Sequence, residues 1–251
     1  MKNFENFEVR TSEEKEKREE LLGFLVKQIS LPSEKWNDRF KEYIREKLEE
    51  KKKREKESEE LSPEEAEELD FKRYLRALNI DFEKLKGKKI LDLGCGEGGF
   101  VKKCVDKGIK EVYGLDKKVN PESFEKRYKN HFLKGDFEKE LPIRDFDYIF
   151  SVGAVFAPVE KSEKRNPPKT LLFALEALKK NGEIRIYPIC KAPPKSNLKG
   201  IEYSRKRWEE ILKDLSKNKE INYVLQPIDI AVSGKKPDVW LEEVLIIKKN
   251  K

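Results

Sequence analysis

At 251 residues the chain is long enough to bury a sizeable core, either as one large domain or as one domain with an appendage. Charged residues make up 42% of it, against roughly 25% in an average soluble protein, yet the formal net charge is only +7, which argues for salt-laced helix faces and against a dedicated polyanion binder. Three scattered cysteines without a CxxC pair and a single histidine exclude a disulfide framework and leave a zinc or histidine-based metal centre without ligands, and no window is apolar enough for a signal peptide or a membrane span; a cytoplasmic, metal-free protein is expected.

In chain order, residues 12–29 read as a helix opened by Ser12 and an acidic first turn, with Leu21, Leu22, Leu25 and Ile29 on one apolar stripe. Pro32 and Ser33 restart a second helix carrying Trp36, Phe40, Tyr43, Ile44 and Leu48, whose stripe dies in the charged run 49–60, a solvated helix or a linker. Ser62-Pro63-Glu64-Glu65 opens a third helix, with an N-cap, Pro at the first helical position and an acid three residues after the cap. From Lys88 the pattern changes to short apolar runs (KKILDL, EVYGLD, HFLKGD, YIFSVG, EIRIYPI) alternating with helical or loop segments, which predicts parallel strands with helices on both faces. The last two runs, 221–231 and 239–249, are joined by a connection too short for a helical crossover and should pair antiparallel. The predicted fold class is therefore α/β, five parallel strands closed by a C-terminal hairpin, with a helical extension over 1–80 and the sheet domain over 81–251.

The first strand ends in LDLGCGEGGF, residues 91–100. A glycine-rich turn between strand and helix lets a ligand approach the backbone and aims free N–H groups at it, but tight packing alone also selects glycine. Asp92 sharpens the reading, because a carboxylate at this strand end repels a diphosphate and suits a cationic group. Asp116 closes the next strand about 20 residues later, where an acid can take both ribose hydroxyls. Asp92 and the terminal hairpin count against a nicotinamide dehydrogenase.

Over residues 88 to about 190 the sequence resembles the class I S-adenosylmethionine-dependent methyltransferases, whose first motif is an apolar strand followed by DxGxGxG. The resemblance implies a Rossmann-like, doubly wound, seven-stranded sheet and S-adenosyl-L-methionine as cofactor. Asp92 would then meet the cofactor's ammonium group, and the turn formed by Leu93, Gly94, Cys95, Gly96 and Gly98 would cradle its methionine part. Asp116 would bind the ribose, Lys117 would flank the adenine, Asp136 and Phe137 would read and cover the ring, and Ser151 at the end of the fourth strand would face the sulfonium. Appended helices in this family commonly shape the acceptor pocket, so 1–80 is expected to act as a cap or, equally, as a partner-docking module.

Methyl transfer starts from an activated donor, so positioning and at most one base suffice, and no triad is needed. Glu160, Tyr187 and His131 are nameable bases, although none is marked by spacing, and a solvated acid, a core tyrosine and a surface histidine describe them better. Asn166-Pro167-Pro168 resembles the motif of amino-methylating nucleic-acid enzymes but lies too far beyond the strand and lacks the aromatic, so it reads as a turn into the helix TLLFALEALKK. Cys190 reads as a buried or incidental thiol. Basic runs at 51–54, 204–208 and 235–236 raise RNA as an acceptor, against solvated helix ends with Trp208 in the core. The expected acceptor is a small molecule. Ribosomal or transfer RNA is the second class, and a non-catalytic methyltransferase-like binding module is the third.

Overall fold

The computed structural model describes residues 12–58, 61–139, 141–155, 166–233 and 238–250, with the backbone alone at 12 and 55–58. Helix α1 spans Ser12–Ile29 and α2 spans Asp38–Ser58. The predicted restart at Pro32-Ser33 is a three-residue 3₁₀ turn, and α2 begins later because Asn37 provides the cap, its side-chain oxygen accepting from the Phe40 N–H at 2.9 Å. The charged run continues α2 as helix to Ser58, supported by pairs such as Arg54 with Glu50 at 3.2 Å. Helix α3, Pro63–Ala77, has the predicted start: Ser62 and Glu65 form a reciprocal capping box.

The strands are β1 (Ile90–Leu93), β2 (Val112–Asp116), β3 (Phe132–Lys134), β4 (Phe146–Val152), β5 (Leu178–Lys191), β6 (Ile221–Ser233) and β7 (Asp238–Lys249). Between them stand α4 (Gly99–Asp106), the single turn α5 (Lys126–Lys129), α6 (Pro167–Ala177) and α7 (Lys199–Leu215). They form one sheet in the order β3-β2-β1-β4-β5-β7-β6, with β1 to β5 parallel and β7 antiparallel to both β5 and β6. Strand β5 starts before the run EIRIYPI, at Leu178, and takes in the last residues of the expected helix TLLFALEALKK together with Asn181 and Gly182. Asn181 has φ +62° there, Gly182 is pressed against Leu178 and the Phe146 carbonyl, and the register to β4 slips.

Alternation along the strands places a core on each face. Leu91, Leu93, Ile149, Ile184 and Ile186 pack with α6 and α7, around a Trp208 that is 1% exposed. Ile90, Val112 and Phe150 pack with α4 and with Phe71, Leu78 and Ile80 of α3 and its exit. A third cluster seats α1 and α2 on the far ends of β6 and β7, where Leu25, Ile29, Phe40 and Ile44 meet Ile230, Val232, Val239 and Leu241. The N-terminal helices are thus packed into the layers of the sheet.

Candidate functional site

The carboxyl ends of β1, β2, β3 and β4 lie side by side, the edge at which open parallel sheets take ligands. At the end of β1, Asp92 is 2% exposed and accepts a short hydrogen bond from the Tyr74 hydroxyl. Tyr74 comes from α3 and stacks on Phe100 in the first turn of α4, with ring centroids 4.2 Å apart. Burial, eased by the Tyr74 hydrogen bond and reinforced by the negative Asp116, pushes the Asp92 carboxyl up to about 7. Burial, then the neighbouring Asp92, holds the Tyr74 phenol well above its ordinary range.

The turn after β1 is built around two glycines that serve different ends. Gly94 has φ +75°, and a Cβ there would stand 2.2 Å from the Ala154 Cβ, so the approach of the β4 exit requires glycine. Gly96 has φ +54° and nothing within 4 Å of the position a Cβ would take, so its side faces open space. Gly98 caps α4, and the Cys95 thiol lies over Gly114 of β2 with its ionisation pushed up by burial. Leu93 contributes its side chain to the core and its carbonyl to Ser151.

Asp116 faces this turn: one oxygen accepts from the Gly96 N–H at 3.2 Å, the other from the Lys118 N–H at 2.8 Å. Lys117 pairs with Asp136 at 3.1 Å. Partial burial would raise Asp136, but the Glu138 N–H and Lys117 hold its carboxyl below the usual range. The Phe137 ring borders the turn, 3.5 Å from where a Gly94 Cβ would sit. Ser151, 1% exposed, donates to the Leu93 carbonyl at 3.0 Å and accepts from the Val155 N–H at 3.0 Å, tying β1 to the exit of β4. The structure therefore gathers Asp92, Gly96, Asp116, Lys117, Asp136, Phe137 and Ser151 at one edge, with the Ser151 hydroxyl committed to backbone.

Among the nameable bases, His131 bonds the Val112 carbonyl at 2.8 Å at the opposite, amino end of β2. Glu160 lies outside the described residues. Tyr187 is half-buried and donates to Glu242. Asn166 caps α6 by accepting from the Lys169 N–H at 3.2 Å, with Pro167 at the first helical position. Burial, then Glu242 and Glu243, push the Cys190 thiol up to about 12, which leaves it a poor nucleophile.

The basic runs are largely engaged. Arg205 pairs with Glu209 and Glu243, Arg207 with Glu210, and Lys51 donates to the Val232 carbonyl, while residues 235–236 lie outside the described residues. Among the described residues, no helix is long and apolar enough to cross a membrane, and no group of three His, Cys, Asp or Glu is arranged to hold a metal.

Several residues at this edge carry no motif. Tyr74 counts in sequence as one more member of an apolar stripe. Arg185, buried in β5, donates to the Leu78 and Asn79 carbonyls at 2.8 and 2.7 Å and pairs with Glu183 at 2.6 Å. Arg76 and Lys47 converge on Asp229 of β6 at 2.8 and 3.2 Å. Glu242 had one visible signal, two adjacent acids inside the apolar run from Val239 to Ile247.

Comparison with known proteins fits this geometry. Residues 84–243, more than half of the chain, match the family described as Methyltransferase domain. A tRNA U34 carboxymethyltransferase from Alteromonas mediterranea is 28% identical over 112 residues, and one from Pseudomonas fluorescens 31% over 109 residues; each match covers 40% of this chain and 32% of the relative, so the chain spans about a third of the length of these curated relatives. Among solved structures, the plantazolicin methyltransferase BpumL, complexed with a desmethylPZN analogue and S-adenosylhomocysteine, aligns at 16% identity over 93% of this chain and 99% of its own, with TM-score 0.46. The magnesium protoporphyrin IX methyltransferase of Synechocystis PCC 6803, with bound S-adenosylmethionine, aligns at 13% identity over 66% of this chain and 72% of its own, with TM-score 0.42. With the family match running from before the glycine turn into β7, over more than half of its length, the chain belongs to the class I S-adenosylmethionine-dependent methyltransferases.

Proposed function

We propose that the protein transfers the methyl group of S-adenosylmethionine to a small-molecule acceptor held where β4 and β5 end. One observation carries the reading: a buried carboxylate, Asp92, with no cationic partner among the described residues, stands just ahead of a turn whose Gly96 faces open space. The donor set suits the cofactor group by group. Asp92 answers an ammonium, and Asp116, at the mouth of the turn, offers acceptors for a diol. Asp136 accepts from an exocyclic amine, and Phe137 borders the ring position. Ser151 keeps the β1 and β4 exits in register, which fixes the turn that these groups share.

When bound, S-adenosylmethionine supplies a methyl group already activated on a sulfonium centre. The chain's task is then to place an acceptor in line and to exclude water. The N-terminal helices favour a small acceptor, because α3 reaches across the sheet, from the end of β1 through Tyr74 to the edge strand β6 through Arg76. RNA is the second reading, supported by the partial similarity to enzymes named for tRNA U34. The engagement of Arg205 and Arg207 with neighbouring acids weighs against a phosphate-tracking surface.

Two measurements test the proposal. Titration calorimetry with S-adenosylmethionine should give saturable heat, and its absence would remove the cofactor assignment. Tritiated methyl should then enter small-molecule extracts and leave total RNA and protein unlabelled; label in RNA would replace the small-molecule acceptor with the second reading.

A further inference from the structure

We propose that the carboxyl end of β5 and the facing stretch of β7 form a receptor for a protonated amine, with Glu242 as the anionic anchor and Tyr187 and Trp240 as flanking aromatics. The acceptor is therefore a cationic amine, an assignment that rests on the methyl-transfer reading above.

Tyr187 is the β5 partner of Val152, the last residue of β4, and its carbonyl accepts from the Gly153 N–H at 2.8 Å. It therefore continues the row of strand ends that begins with Asp136, Asp116 and Asp92. Glu242 lies one strand further on, in register with Cys190 of β5 and Asp229 of β6. Tyr187, Trp240 and Glu242 are all partly exposed, so a ligand can reach them.

Charge pairing then singles out Glu242. On β5, β6 and β7 the other acids of restricted exposure each hold a cation: Glu183 has Arg185 and Lys248, Asp229 has Arg76 and Lys47, and Glu243 has Arg205. Glu242 has none among the described residues. Its two oxygens accept from neutral donors, the Tyr187 hydroxyl and the Trp240 indole N–H, the latter at 3.3 Å. Burial, with the nearby Asp229 adding to it, raises the Glu242 carboxyl above its ordinary range even though these donors and Arg76 oppose the shift. A carboxylate flanked by a phenol and an indole is the chemistry that takes an ammonium group, through charge and through the ring faces together. The edge thus carries two acids without a cation among the described residues, the buried Asp92 on the cofactor side and the half-buried Glu242 on the acceptor side.

Glu242 also accounts for the proton that must leave before an amine can attack. The docked ammonium gives one proton to the Glu242 carboxylate, which its raised proton affinity favours. The freed nitrogen lone pair forms the N–C bond as the S–C bond breaks. The positive charge leaves sulfur, the thioether departs neutral, and the methylated nitrogen carries the charge.

The test uses the full chain, tritiated S-adenosylmethionine and a small-molecule cell extract split by cation exchange at neutral pH into retained and unretained fractions. Label is expected only from the retained fraction. Glu242→Gln removes the charge, keeps one acceptor oxygen for the Trp240 N–H and presents an NH2 from which the Tyr187 hydroxyl can accept, and should lower kcat/KM by about tenfold or more, with cofactor heat unchanged. Label only from the unretained fraction, from neither fraction while cofactor heat persists, or an unchanged rate in Glu242→Gln would each overturn the amine assignment. The partition is read on the wild-type chain and does not depend on how the variant folds. Absence of cofactor heat in the wild type is a separate result, which removes the methyl-transfer reading and the amine assignment with it.

Discussion

Asp92 is buried without a cation among the described residues. Its neighbours are the Tyr74 hydroxyl from α3, Asp116 from β2 and the thiols Cys95 and Cys104, none of them a cation. Because its carboxyl is raised to about 7, the native state keeps a proton that the unfolded chain releases near the ordinary value of 3.8. Asp92 therefore costs stability as pH climbs from about 4 to about 7, the opposite of an ion-paired carboxylate.

An ammonium beside Asp92 favours the ionised form, so cofactor binding should release a proton below pH 7. Affinity should rise between pH 5 and 7, and calorimetry in buffers of different ionisation enthalpy should register the proton. In Asp92→Asn both effects should vanish. Gly96→Ala separates fold from ligand: a Cβ there meets no protein atom, so stability should fall by only about 1–2 kcal/mol from the positive φ, while a side chain in the open space should weaken cofactor binding at least about tenfold. Asp116→Ala should cost roughly 1–3 kcal/mol of cofactor binding if it loses charge-assisted bonds to the ribose, with little change in melting temperature.

Helix α3 is the element that joins the extension to the chemistry. Tyr74 and Arg76 of its last turn reach Asp92 of β1 and Asp229 of β6, and Arg185 of β5 binds the Leu78 and Asn79 carbonyls where the helix ends. A guanidinium at a helix C-terminus satisfies carbonyls that have no intrahelical partner and complements the dipole. Replacing it leaves those carbonyls and Glu183 short of their donor in a buried setting, although Lys248 still reaches Glu183 at 2.9 Å. Arg185→Leu should therefore destabilise by about 3–5 kcal/mol in denaturant melts. Ser62→Ala, at the exposed other end of the same helix, should cost about 1 kcal/mol. The capping box was legible because it is made of neighbours in sequence. The Arg185 contact was not, since it joins residues more than a hundred positions apart.

At the scale of the molecule, removal of residues 1–80 should expose the sheet in two places, over its central strands and at the outer ends of β6 and β7. Phe71, Leu78 and Ile80 share a core with Ile90, Phe100 and Phe150, while α1 and α2 cover the outer ends of β6 and β7. A chain starting at residue 81 should show no cooperative thermal transition by circular dichroism, whereas a self-sufficient sheet domain would melt sharply near the full-length temperature.

Sequence by itself determined the alternation of strands and helices, the antiparallel closing hairpin and the glycine turn with its acids at 92 and 116, because these are set by periodicity, loop length and residues within one turn of each other. It also separated Trp208 and Asn166 from their nucleic-acid readings, one as core and the other as part of a turn into a helix. Only the tertiary structure decided which side chains cross between elements: Tyr74 onto Asp92, Arg185 onto the end of α3, Tyr187 onto Glu242. Such pairings depend on how layers stack and on strand order, and a half-buried acid shows its need for a cation only when its surroundings are known.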